Sequence, residues 1–410
     1  MKRINVKIKP YTVTKLFLIS YLVYNCSLVP IGFYIPRLSV VLLICSAVSL
    51  LIEEGKKFRF YYFSECVYLG IFILIASVTG LLLAENRSNV IQQATFLVEI
   101  LLVTYLICFI ADRTGETDIV PWTFLIGSVV FSIYLLMGNG VLIIGTRLSL
   151  AEGFNSNTLG VFLMFGGWSL LKICDSIKSQ VVSIILSIAG SALLFYLIIQ
   201  TGSRKSTIGF ALVFLFWIIF AFRSKIAHFN ISVKIISFII LVASAAFVLI
   251  RFGSDFSLAS ETITRRMQDF ENSDGSWTVR IYMIQDAFRV FLNHPIFGVG
   301  LDNYRFFSVF SMYSHNTYAE ILACTGIVGG IAFIAVIVSP LKVIVKEAVS
   351  GIRNKTRSVA DSFNIILAVI FLYICMTQIC IYNQNLMLIL AQLMAISLTI
   401  RRKESLNEKC

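Results

Sequence analysis

Charged side chains are scarce. Only 14% of the 410 residues are Asp, Glu, Lys or Arg, against ~25% in soluble domains. That shortage excludes an ordinary soluble enzyme, a disordered chain and a nucleic-acid-binding domain. Histidine occurs three times and proline six. Metal or redox spacing is missing among the nine cysteines; most lie in apolar runs and are expected as small buried hydrophobes. There is no internal repeat, low-complexity tract or soluble domain. What remains is apolar: 58% of residues are hydrophobic and the mean hydropathy is +0.87. The chain reads as an all-α, polytopic integral membrane protein.

A spanning helix needs ~20 mostly apolar residues, because hydrocarbon offers no partner to free backbone groups. About twelve such runs are expected, at 14–30, 37–52, 66–84, 93–111, 119–137, 157–174, 181–200, 206–222, 232–250, 317–340, 363–381 and 385–400. The first is expected to remain as a helix, since no small-residue cleavage site follows it. With the N-terminus cytoplasmic, inner segments hold 23 Lys and Arg and outer segments 11, of which six lie in one long loop. The resulting 23 to 5 contrast in short loops is a positive-inside pattern, which puts both termini in the cytoplasm. Residues 1–250 then carry nine spans, 251–316 form a large extracytoplasmic loop, and 317–410 carry three spans and a short tail. Within the loop, Ile281, Ile284, Ala287, Phe288 and Phe291 recur at helical spacing, predicting an amphipathic helix near 277–293 on the outer membrane surface.

Ionisable residues inside the spans are few, notably Glu99 and Glu320. The chemistry-bearing residues gather instead at the outer ends. Gln200 to Ser206 place Arg204 and Lys205 where a span begins, so two cations and free helix N–H groups read as an anion site there, with an interfacial snorkelling pair as the alternative. Arg280 opens the amphipathic helix about 60° from the centre of its apolar face and leans toward the bundle, whereas Asp286 and Arg289 are expected to face water. Ser314-His315-Asn316-Thr317-Tyr318-Ala319-Glu320 opens the tenth span. Thr317 and Glu320 have capping-box spacing, which leaves a structural role open for Glu320, and the positive helix end favours the neutral imidazole at His315 that a general base requires. His294 to Tyr304 contains Gly298 and Gly300, suited to tight turns and close backbone approach. Arg147, before Asn155-Ser156-Asn157, is a further outward cation; as a plain loop charge it needs no function, and it is carried here as a candidate substrate contact.

The ordered set resembles the O-antigen ligase and polymerase family of polysaccharide assembly. It comprises Ser203-Arg204, Arg280, Asn293 to Tyr304, Ser314-His315-Asn316 running into Glu320, and Gly326-Ile327-Val328-Gly329, and is densest over 277–333. Asp302 departs from the small residue usual there. The resemblance implies a GT-C-like glycosyltransferase of about a dozen spans in the cytoplasmic membrane of a bacterium, acting on the extracytoplasmic side without a metal or other cofactor. Its donor would be a polyprenyl-pyrophosphate-linked oligosaccharide and its acceptor a glycan, with membrane lipids, a flippase and a chain-length regulator as partners and no nucleic acid. Carried onto this sequence, it makes His315, Arg280 and Arg204 the catalytic candidates. Arg147, Lys205, Asn316 and Glu320 are the expected substrate contacts. The absence of Asp-x-Asp agrees with metal-independent transfer. The expected activity is a polysaccharide polymerase; transfer to lipid A-core or protein, and a lipid-linked oligosaccharide flippase, stay open as alternatives.

Overall fold

In the computed structural model, residues 10–55, 61–143, 147–151, 155–222, 276–353 and 359–407 are described. The expected ninth span at 232–250 and the first part of the long loop lie outside them. The architecture is a helical bundle. Its helices are α1 (Thr12–Val23), α2 (Leu38–Glu54), α3 (Ser64–Leu83), α4 (Arg87–Thr114), α5 (Ile119–Leu136), α6 (Ser156–Asp175), α7 (Gln180–Gln200) and α8 (Arg204–Trp217). After the undescribed stretch come α9 (Ser276–Asn293), the short α10 (Tyr304–Phe307), α11 (Thr317–Arg353), α12 (Val359–Cys375) and α13 (Gln384–Asn407). Among the described residues nine helices are long and apolar enough to cross a bilayer. Among the described residues one ribbon interrupts the helical pattern: β1 (Val141–Ile143) and β2 (Arg147–Ser149) pair antiparallel between α5 and α6.

Two groups of helices share one apolar core. Helix α11 packs along α3 and α13, and α4 lies against α3 and α13; α6 sits among α5, α7 and α8. Trp168 joins the groups, its indole buried and donating to Phe363 O at 3.1 Å. A membrane core has no hydrophobic drive between helices, so such polar ties and close packing hold the bundle.

Helix α11 is broken. Gly326 has φ 62° and ψ −163°, which only glycine adopts without strain. The segment Pro295–Gly300 fills the break. Val299 and Gly300 donate to Ala323 O and Cys324 O (3.0 and 2.8 Å), and Ile327 and Val328 donate to Pro295 O and Ile296 O (2.8 and 3.2 Å). The close backbone approach expected of this glycine-bearing segment is therefore realised, against the interior of a spanning helix. Nine residues of α11 precede the break, so the loop reaches ~13 Å along the helix from its start. Irregular backbone at such depth persists because protein groups satisfy it.

The eleventh apolar run ends earlier than hydropathy indicates. Helix α12 stops at Cys375, and Met376 to Asn383 form a turn rather than another helical turn.

Candidate functional site

Five chain segments meet at one end of the bundle: the β-ribbon, the α7–α8 turn, the loop running from α9 to α11, the start of α11, and the α12–α13 turn. At the α7–α8 turn, Gly202 takes φ 62° and Ser203 stands just before α8, its hydroxyl 2.8 Å from that of Ser206. Arg147, on β2, folds over this turn. Its Nε donates to Thr201 O at 3.1 Å and a terminal nitrogen to Asn157 Oδ1 at 2.9 Å. Arg204 and Lys205 are half-buried in the first turn of α8.

The start of α11 holds His315. Asn316 is its N-cap: Oδ1 accepts from the N–H groups of Tyr318 and Ala319, both at 3.0 Å. Thr317, which the capping-box spacing nominates, is used elsewhere. Its hydroxyl donates to Gln378 O at 2.6 Å and accepts from Cys380 N–H at 2.9 Å. Glu320 turns inward. It is 1% exposed, and its Oε2 accepts the Ser314 N–H at 2.8 Å, bracing the turn that bears His315. His315 itself stands in the left-handed region, φ 57°, with its ring 4.4 Å from that of Tyr313.

The α12–α13 turn was not legible as part of a site. Gln378 Oε1 accepts from Lys205 Nζ at 3.0 Å, Thr377 O lies 3.4 Å from the same ammonium, and Met376 O accepts from Asn316 Nδ2 at 3.1 Å. Tyr382 OH accepts the Asp302 N–H at 2.9 Å and lies 3.6 Å from Cys324 Sγ. Burial pushes the Tyr382 hydroxyl well above its ordinary range. Gln378 and Tyr382 sit inside or beside an apolar run, so only the turn itself reveals them.

Helix α9 carries Arg280 into this end. The buried face of α9 is Met283, Asp286, Ala287 and Val290, and Ala287 and Val290 pack with Ala319 and Ala323 of α11. Ile281 and Phe288 stay exposed, so the apolar face read from spacing is split between bundle and surroundings. Asp286 does not face water as expected. Tyr304 OH donates to it at 3.0 Å and Arg289 at 2.8 Å, and Arg289 also caps Phe307 O at 2.9 Å. Against the upward push of burial, bonds from Ser308, Arg289 and Tyr304 hold its carboxyl below the usual range. Asp302 takes φ 54°, which aspartate tolerates. Burial raises its carboxyl, opposed by Arg305 at 2.6 Å. Asn303 is fully buried and clasps Asn86 through both N–H and carbonyl (2.9 and 3.2 Å), tying the loop to the α3–α4 turn.

Electrostatics connect these pieces. Burial first, then the positive charges of Arg280 and Lys205, lower the His315 pKa to about 4. Lys205 in turn lies within the influence of Arg280 and Arg147. A neutral imidazole beside Arg280 and Lys205 suits an anionic substrate whose reaction releases a proton. Among the described residues no group of three or more His, Cys, Asp and Glu could hold a metal ion.

Residues 189–334 match the family described as O-antigen ligase. The matched stretch takes in Arg204, Lys205, Arg280, His315, Asn316 and Glu320, and it supports the resemblance to the O-antigen ligase and polymerase family. It leaves out Arg147 and Gln378. No curated protein matches the chain.

Proposed function

We propose that the protein is a polysaccharide polymerase of the cytoplasmic membrane of a bacterium, transferring a glycan from polyprenyl pyrophosphate to a lipid-linked acceptor on the outer face. The observation that carries this reading is the gathering of His315, Arg280 and Lys205 at one end of the bundle, where burial and then the two charges favour a neutral imidazole. In the proposed step the acceptor hydroxyl attacks the anomeric carbon and its proton passes to the imidazole. The bond from that carbon to the pyrophosphate oxygen breaks, and polyprenyl pyrophosphate leaves with the electron pair. Arg204 and Arg280 stabilise the charge developing on the leaving group. The bound diphosphate also offsets the cations that depress the imidazole, so donor binding raises the proton affinity of the base. Arg147, Lys205 and Asn316 complete the proposed substrate contacts, and Glu320 acts from beneath through Ser314. No metal is required by this scheme.

A second reading, transfer of the same donor's glycan to lipid A-core or protein, is favoured by the description of the matched family as a ligase. Both readings share the arginine chemistry, which can be tested first. In a purified assay with lipid-linked donor and acceptor, Arg204→Lys and Arg280→Lys are each expected to lose product formation by ~100-fold or more, because a point charge lacks the planar fork. Wild-type rates in either variant would remove that arginine from the step. A wild type that moves lipid-linked glycans across vesicles without joining them would favour a flippase.

A further inference from the structure

The α12–α13 turn faces two parts of the site at once. On one side, the Lys205 ammonium meets an amide oxygen, Gln378 Oε1 at 3.0 Å, and a carbonyl, Thr377 O at 3.4 Å. Neither is a carboxylate. An amide oxygen fixes the direction of an ammonium N–H while leaving its charge to act on something else; a carboxylate at the same place would form an ion pair and quench it. Burial and then, among the described residues, the like charges of Arg280 and Arg147 bear on Lys205. Holding an ammonium half-buried beside other cations is costly unless an anion is meant to enter.

On its other side, the same turn holds the start of α11. Gln378 O accepts the Thr317 hydroxyl at 2.6 Å, Cys380 N–H donates back to that hydroxyl at 2.9 Å, and Met376 O accepts Asn316 Nδ2–H at 3.1 Å. His315 is the residue immediately before this anchored pair. Gln378 therefore reaches α8 with its side chain and α11 with its backbone, and joins the element bearing a cation to the element bearing the histidine.

We infer that Gln378 is a positioning residue that holds Lys205 as an unquenched ammonium for the donor's diphosphate, at a fixed offset from His315. The identity of the anion rests on the proposed transfer reaction; the role of Gln378 rests on the hydrogen bonds alone. The choice of glutamine over glutamate matters here, since the two are nearly isosteric and differ in charge.

That difference supplies the test. Binding of inorganic pyrophosphate to the purified full-length protein is measured by calorimetry at about pH 6, where the lysine carries its proton and the imidazole does not, with thermal unfolding recorded alongside. Gln378→Glu gives Lys205 a stronger partner, so it is expected to unfold at the same or a higher temperature yet bind pyrophosphate ~10-fold or more weakly. In the transfer assay the same variant raises the donor KM more than it lowers kcat. A merely structural glutamine predicts the same stability result but unchanged affinity, so the affinity decides between the two. Gln378→Leu keeps bulk without the acceptor and is expected to weaken pyrophosphate binding ~3-fold or more; it decides the matter should Gln378→Glu not fold. Wild-type affinity in Gln378→Glu, or in Gln378→Leu where that decides, overturns the inference, as does a wild type that binds no pyrophosphate. Failure of the wild type to join glycans while the Gln378→Glu contrast persists sinks the transfer reading and leaves Gln378 the positioning residue of an anion site.

Discussion

His315 combines a left-handed backbone with a half-buried ring, and its charge state follows from that setting. Burial, then Arg280 and Lys205, place its folded pKa at about 4, below the ordinary ~6.5 of histidine. The depressed value fixes the sign of the linkage. The neutral imidazole contributes stability in full above about 6.5, and that contribution is lost as pH falls from there toward about 4. The wild type is therefore expected to lose melting temperature over this interval, and His315→Gln to lose less; parallel pH curves for the two proteins would contradict it. Most charged members of the site were legible as residues, because an arginine or histidine at the outer end of a span stands out against an apolar chain. Asp286 was misread: helical phase pointed it to water, and the Tyr304 hydroxyl and Arg289 guanidinium give it a buried alternative. Gln378 and Tyr382 carried no signal, since a neutral polar residue near an apolar run looks like its helix continuing.

At the scale of the element, α11 and the loop inserted in it form one unit. A Cβ at Gly326 would stand 2.3 Å from Ile296 O, and one at Gly298 would stand 2.4 Å from the Cys324 carbonyl carbon. Both residues also have positive φ. Gly326→Ala and Gly298→Ala are each expected to destabilise the protein by more than the ~1–3 kcal/mol of backbone strain alone, read as loss of monodisperse protein and a lower melting temperature. Gly70→Ala, whose nearest neighbour would be Leu101 Cδ2 at 3.7 Å, is expected to leave both unchanged. Equal behaviour of the three variants would refute the packing argument. Hydropathy located α11 but not its break, because the break depends on contacts with residues thirty positions earlier. The three-residue strands of the ribbon are too short to show any alternation.

Across the whole molecule the two ends differ in kind. One carries the cations and the histidine of the site. The other is laced by ion pairs: Lys15 with Glu116 and Asp118, Arg113 with Glu54 at 3.1 Å, and Arg401 with Glu65 at 3.0 Å. The charge pattern of the sequence assigns this second end to the cytoplasm. Single cysteines at Asn139 and Ser311, both exposed at the site end, are expected to react with a membrane-impermeant thiol reagent added to intact cells. One at Ser179, exposed at the other end, is expected to react only after lysis. Labelling of Ser179→Cys from outside would invert the topology and place the proposed chemistry in the wrong compartment. The all-helical, membrane-spanning character of the described residues was legible in the sequence because apolar length is a local property; the convergence of five segments is not, and required the fold.

His315 is proposed to accept the acceptor's proton while the cations hold the donor, and a paired comparison separates the two tasks. Purified wild type and His315→Ala are compared for pyrophosphate binding and for glycan joining with a lipid-linked donor. Binding is expected to persist in His315→Ala, while the rate of joining falls by ~10²–10⁴-fold, the range of general-base catalysis. Joining at the wild-type rate by His315→Ala would contradict the account.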